Sequence, residues 1–136
     1  MQGTCVNATG EVIAVYGPNS AATPQDRDNA LYRLPPGRKT PPAFDCDGLY
    51  VPNDRIAGQL LFPDIHGPVA IKYVDVLTFR IEKEGDRYKL PANQGAFKPD
   101  EVCCPSHFPR CVCWNIPNLS HAQISSFPEV PGHVPA

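Results

Sequence analysis

The sequence predicts a mainly β protein, a small antiparallel β-sandwich or partly open barrel, stapled by disulfides and carrying one short helix at about residues 24–34. Three observations predict it. Proline fills 17 of the 136 positions, well above the usual ~5%. So many fixed φ angles and missing N–H donors exclude a helical bundle. The longest proline-free run, residues 69–90, alternates: Val69, Ile71, Tyr73, Leu77, Phe79 and Ile81 are apolar, with Lys72, Thr78, Arg80 and Glu82 between them. A period of two buries one face of a sheet. Finally, six cysteines in a small chain with only 19% charged residues read as a disulfide framework.

The elements follow in order. Glu11 to Tyr16 reads as a strand stopped by Gly17-Pro18. In the helix expected next, Thr23 is the N-cap, Pro24 the first helical residue and Asp26 a favourable first-turn acid. Ala30, Leu31 and Leu34 supply its apolar face, and Pro35-Pro36 end it. Residues 35–42 form an extended connection. Leu49 to Val51 and Gln59 to Phe62 read as strands around the turn Pro52-Asn53-Asp54. In the central run, Glu84-Gly85-Asp86-Arg87 turns the chain and Tyr88 and Leu90 resume the alternation, which predicts a β-hairpin. Asp75 breaks the apolar row, so it is either a partnered buried carboxylate or the mark of a bend. Phe97 anchors the loop after Leu90. Beyond Pro117, Leu119, Ile124, Phe127 and Val130 are the residues able to dock. One domain is expected over 1–127, with 128–136 a poorly structured tail.

Charge and hydropathy narrow the function. The net charge is −2 and the basic residues are scattered, which is not the footprint of a nucleic-acid binder. No apolar run approaches the ~20 residues of a membrane span. The first five residues lack the basic and apolar regions of a secretory leader. The cysteines nevertheless point to an oxidising compartment, hence to a mature secreted or periplasmic form. Two sequons, Asn7-Ala8-Thr9 and Asn118-Leu119-Ser120, are compatible with this but decide little.

Cys103, Cys104, Cys111 and Cys113 lie within eleven residues, with Cys5 and Cys46 far upstream. On strands flanking the loop 105–110, Cys103 and Cys104 point to opposite faces while Cys111 and Cys113 share one. A regular hairpin then allows one local bridge, and the two leftover cysteines must reach Cys5 and Cys46. The expectation is one loop-closing bridge and two long-range ones, unless a bulge or a bond between the adjacent Cys103 and Cys104 intervenes. Zinc held by these thiolates and His107 is the alternative. The adjacent pair and the pair split by one residue do not fit the two-to-four-residue spacing of zinc turns, so no metal and no cofactor is assigned.

The loop Pro105-Ser106-His107-Phe108-Pro109-Arg110 is held by prolines and cysteines, so it loses little entropy on docking, the recipe for a recognition loop. Ser106, His107, Phe108 and Arg110 are its contact residues. In outline it resembles the cysteine-closed, histidine-bearing loop of the periplasmic Ivy-type lysozyme inhibitors, and it is also similar to the reactive loops of small serine-protease inhibitors. The resemblance spans eight residues and implies a protein partner.

Two other constellations compete. Asp64 and His66 flank Ile65, so acid and imidazole share one side of an extended segment and could form a general base. No nucleophile or metalloprotease motif accompanies them. Asp45 and Asp47 precede Gly48 as in a cation-binding turn, but the apolar residues that follow lack further ligands. The favoured expectation is therefore a non-catalytic secreted or periplasmic binding protein, of an inhibitor or immunity type. The alternatives are a small secreted hydrolase or toxin using His66 or His107, and a structural or surface-assembly module.

Overall fold

The computed structural model describes residues 3–18, 29–59, 63–72, 78–91, 95–99 and 116–136. Among the described residues twelve strands make two sheets: β1 (Thr4–Asn7), β2 (Ile13–Pro18), β3 (Asn29–Leu34), β4 (Arg38–Lys39), β5 (Gly48–Val51), β6 (Ile56–Gly58), β7 (Ile65–His66), β8 (Val69–Lys72), β9 (Thr78–Glu84), β10 (Arg87–Lys89), β11 (Gly95–Phe97) and β12 (Val134–Pro135). A seven-stranded sheet runs β12-β4-β1-β9-β10-β6-β7, and a five-stranded sheet runs β11-β8-β5-β2-β3. β1 pairs with β9, and β10 with β6, in parallel. The remaining neighbours are antiparallel, as expected of a β-sandwich.

The apolar run 69–84 does not serve one sheet. Its first part, β8, lies between β5 and β11 in the five-stranded sheet, while β9 lies between β1 and β10 in the other. Residues 73–77 between these two strands, Asp75 among them, lie outside the described residues. The expected hairpin is present as β9 and β10, with Glu84 opposite Arg87. Gly85 takes φ 62° in the turn, a backbone that glycine adopts without a Cβ clash.

The two sheets face each other across one core. Ile13, Val15, Leu34, Leu49, Val51, Val69 and Ile71 meet Cys5, Ala57, Phe79, Ile81 and Tyr88 there. The alternate residues of the five-stranded sheet, Ala14, Tyr16, Leu31, Tyr50, Ala70 and Phe97, are also buried, in a second cluster with Ile116 and Ile124. A 3-10 helix, His121–Ser126, belongs to this cover. The five-stranded sheet is thus buried on both faces, and its strands read as near-continuous apolar runs. At Gly48 the packing is close enough that a Cβ would collide with the Ile71 carbonyl and the Tyr16 ring.

Two sequence expectations are corrected. Residues 29–34 of the expected helix 24–34 are strand β3, and residues 24–28 lie outside the described residues. Leu31 and Leu34, three apart, suggested one helical face. On the strand they point to opposite sides, Leu34 into the core between the sheets and Leu31 into the second cluster. Of the strand expected over Gln59 to Phe62, Gln59 follows the end of β6 and is outside any strand, and residues 60–62 lie outside the described residues.

The segment 128–136, expected as a loose tail, is tied down along both sheets. The Arg33 amide donates to the Pro128 carbonyl and the Val130 amide to the Arg33 carbonyl. β12 then pairs with β4, the edge of the other sheet. Val130 is buried among the residues of the inter-sheet core. The prolines of this segment are tolerated at such an edge, where no N–H is needed on the outer side.

Candidate functional site

Cys5 and Cys46 are bonded to each other, with Cα atoms 6.0 Å apart and 41 residues between them in sequence. This corrects the expectation that each reaches the C-terminal cysteines. β1 carries Cys5 beside the loop that enters β5, so the two upstream cysteines meet where the sheets face each other. The pairing leaves Cys103, Cys104, Cys111 and Cys113 with no cysteine in the chain but one another. Those four, the loop residues Ser106, His107, Phe108 and Arg110, and Trp114 lie outside the described residues.

The other candidates are placed but not assembled. Asp64 accepts a hydrogen bond from Arg87 Nε at 3.0 Å, while His66 is exposed on β7. Among the described residues no carboxylate contacts the His66 ring. Asp45 Oδ1 accepts from the Gly3 amide at 3.2 Å, and the residue between the two acids is the disulfide-bonded Cys46. That geometry organises a turn.

The densest chemistry among the described residues is a cluster that the sequence reading missed, centred on Glu11. Its carboxylate is 14% exposed. Arg55 donates Nε to Oε2 and Nη2 to Oε1, both at 3.0 Å. Lys83 Nζ donates to Oε1 at 3.0 Å and Tyr88 Oη to Oε2 at 2.8 Å. His121 Nε2 stands 3.3 Å from Oε2 and donates to the Val12 carbonyl at 2.7 Å. The five residues come from the loop between β1 and β2, the turn before β6, β9, β10 and the 3-10 helix. Only folding brings them together, and no local spacing announces it.

Electrostatics follow from this geometry. Burial pushes the Glu11 carboxyl up, but the hydrogen bonds from Arg55, Lys83 and Tyr88 outweigh it and bring it from 4.5 down to about 2. The hydrogen bond to Glu11 raises the Arg55 guanidinium. Burial, then the charge of Glu11, raises the Tyr88 phenol. A carboxylate offers about four lone-pair sites, and here four donors fill them. Glu11 therefore acts as an anchor between elements, with no lone pair left over to take a proton from a substrate.

A second polar chain lies on the strap of residues 127–136. Arg33 donates to the Phe127 carbonyl at 2.7 Å and to Glu129 at 3.0 Å. His133 is held between Glu129 Oε1, 2.7 Å from Nε2, and Arg38 Nε, which donates to Nδ1 at 2.8 Å. Because the guanidinium can only donate, Nδ1 is the acceptor and Nε2 carries the proton. The hydrogen bond with His133 and the nearby Arg33 hold the Glu129 carboxyl below its usual range. Both ring nitrogens are thus committed to holding the strap.

No helix among the described residues is long and apolar enough to cross a membrane. No family model, curated protein or solved structure matches this chain.

Proposed function

We propose that this chain is a non-catalytic binding protein of an oxidising compartment, secreted or periplasmic. In this reading it grips a protein partner through the loop 105–110, as an inhibitor or immunity-type protein does. The observation that carries the reading is the Cys5–Cys46 bond. A buried disulfide fits an oxidising compartment, and it leaves the four cysteines around the loop only one another as partners. A loop closed by its own bridges starts close to its bound shape, which favours affinity by lowering the ordering cost. The Glu11 and His133 clusters support the same reading, since their polar groups are committed to holding the scaffold.

The test replaces Ser106, His107, Phe108 and Arg110 together by alanine and compares the variant with the parent as bait for extracellular and periplasmic proteins. Loss of a partner that the parent retains, at unchanged melting temperature, is the expected result. Retention of every captured partner with undiminished affinity would remove the loop from the function.

A further inference from the structure

The structure separates two sequons that look equivalent in the sequence. Asn7 is fully buried. Its Nδ2 donates to the Glu11 carbonyl at 2.7 Å and to the Leu34 carbonyl at 2.8 Å, and its Oδ1 accepts from the Thr9 amide and hydroxyl. Both hydrogens of the amide nitrogen are in use, inside the protein. A glycan there would replace one of these hydrogens, break its hydrogen bond, and could not be housed at a fully buried side chain.

Asn118 is the opposite case. It is exposed, in a stretch without regular secondary structure. Its Oδ1 accepts from Asn53 Nδ2 at 2.9 Å, and its own Nδ2 makes no hydrogen bond among the described residues. The backbone around it is held firmly: Tyr50 Oη donates to the Pro117 carbonyl at 2.5 Å and accepts from the Leu119 amide at 2.9 Å, and the Asn53 amide donates to the Leu119 carbonyl at 2.8 Å. Ser120, the hydroxyl residue of the sequon, is extended, with φ −83° and ψ 165°.

We propose that Asn118 is an N-glycosylation site and that Asn7 is a structural asparagine which stays unmodified in the folded protein. The co-substrate is an oligosaccharide carried on a polyprenyl diphosphate. Asn118 Nδ2 forms the bond to the anomeric carbon and loses one proton to solvent, while the bond from that carbon to the diphosphate oxygen breaks and its electron pair leaves with the polyprenyl diphosphate. No electron is gained or lost. Use of the site in the native setting rests on the export reading above. An attached glycan would keep the end of the fold around Asn53 and Asn118 facing solvent, which places partner binding elsewhere.

The test supplies a leader, so it does not depend on how the chain is naturally exported. The full chain is secreted from an N-glycosylating eukaryotic host, and intact mass is measured before and after enzymatic removal of N-glycans. Peptides are then mapped for the Asn-to-Asp conversion that removal leaves behind. One glycan on the Asn118 peptide, abolished by N118Q and by S120A, is expected. Should secretion yield no chain, the purified folded protein is offered to an oligosaccharyltransferase with its lipid-linked donor. A folded chain bare at Asn118, or one carrying a glycan on Asn7, would overturn the proposal. An occupied Asn118 together with six free thiols would instead count against export while leaving the site intact.

Discussion

Glu11 and Arg55, 44 residues apart, meet fork to fork through two N–H···O bonds of 3.0 Å each. The pair ties the loop leading into β2 to the turn leading into β6, and so joins the five-stranded sheet to the seven-stranded one. Lys83 and Tyr88 complete the connection from β9 and β10.

Glu11→Gln keeps the shape of the side chain and removes its charge. Arg55 and Lys83 then face a neutral amide in a half-buried site. Breaking such a pair from one side costs about 3 kcal/mol. Urea unfolding of the variant and the parent measures it, and a variant as stable as the parent would strip Glu11 of its anchoring role.

Acid should weaken the fold through the same carboxylate. Its folded-state value of about 2 lies below the ordinary 4.5. The stabilisation is therefore complete above about pH 4.5 and is lost as the pH falls toward 2. The full effect is on the order of 3 kcal/mol. Unfolding free energies across this window should show the gap between parent and Glu11→Gln closing as the solution is acidified; a constant gap contradicts the assignment.

Peptide mapping of the non-reduced protein should find the Cys5 peptide linked to the Cys46 peptide. Replacing both cysteines by alanine shortens no contact outside the bridge but frees a 41-residue separation, which the chain-entropy model values at about 4 kcal/mol. A link from Cys5 to any of the four downstream cysteines would refute the pairing.

Val130→Ala removes the buried anchor of the strap along β3 and β4. The expected loss is about 2 kcal/mol. It should appear locally as well, as faster hydrogen exchange at the Arg33 and Val130 amides, which bond across the strap. Unchanged exchange at both would mean that the strap is held by its arginine contacts alone.

Strand character was legible wherever a residue's neighbours along the chain share its environment. The hairpin of β9 and β10 is such a case, because Phe79, Ile81 and Tyr88 are buried while Thr78, Arg80, Glu82 and Lys89 are exposed. The reading failed where a strand feeds two cores. Leu31 and Leu34 mimic a helical face only because each side of β3 has something to bury against. The Glu11 cluster was illegible for another reason: Glu11, Arg55, Lys83, Tyr88 and His121 are brought together by the pairing of β10 with both β6 and β9 and by the docking of the helix. The loop residues Ser106 to Arg110, read from cysteine spacing, lie outside the described residues.

A sheet covered above and below has no idle positions. Along β2, β5 and β8 each consecutive side chain, from Ile13 to Tyr16, Leu49 to Val51 and Val69 to Ile71, is already spoken for. Diversification of such a protein, by evolution or by library design, is confined to its rim and its connecting loops, while the middle layer tolerates little beyond swaps of equal volume.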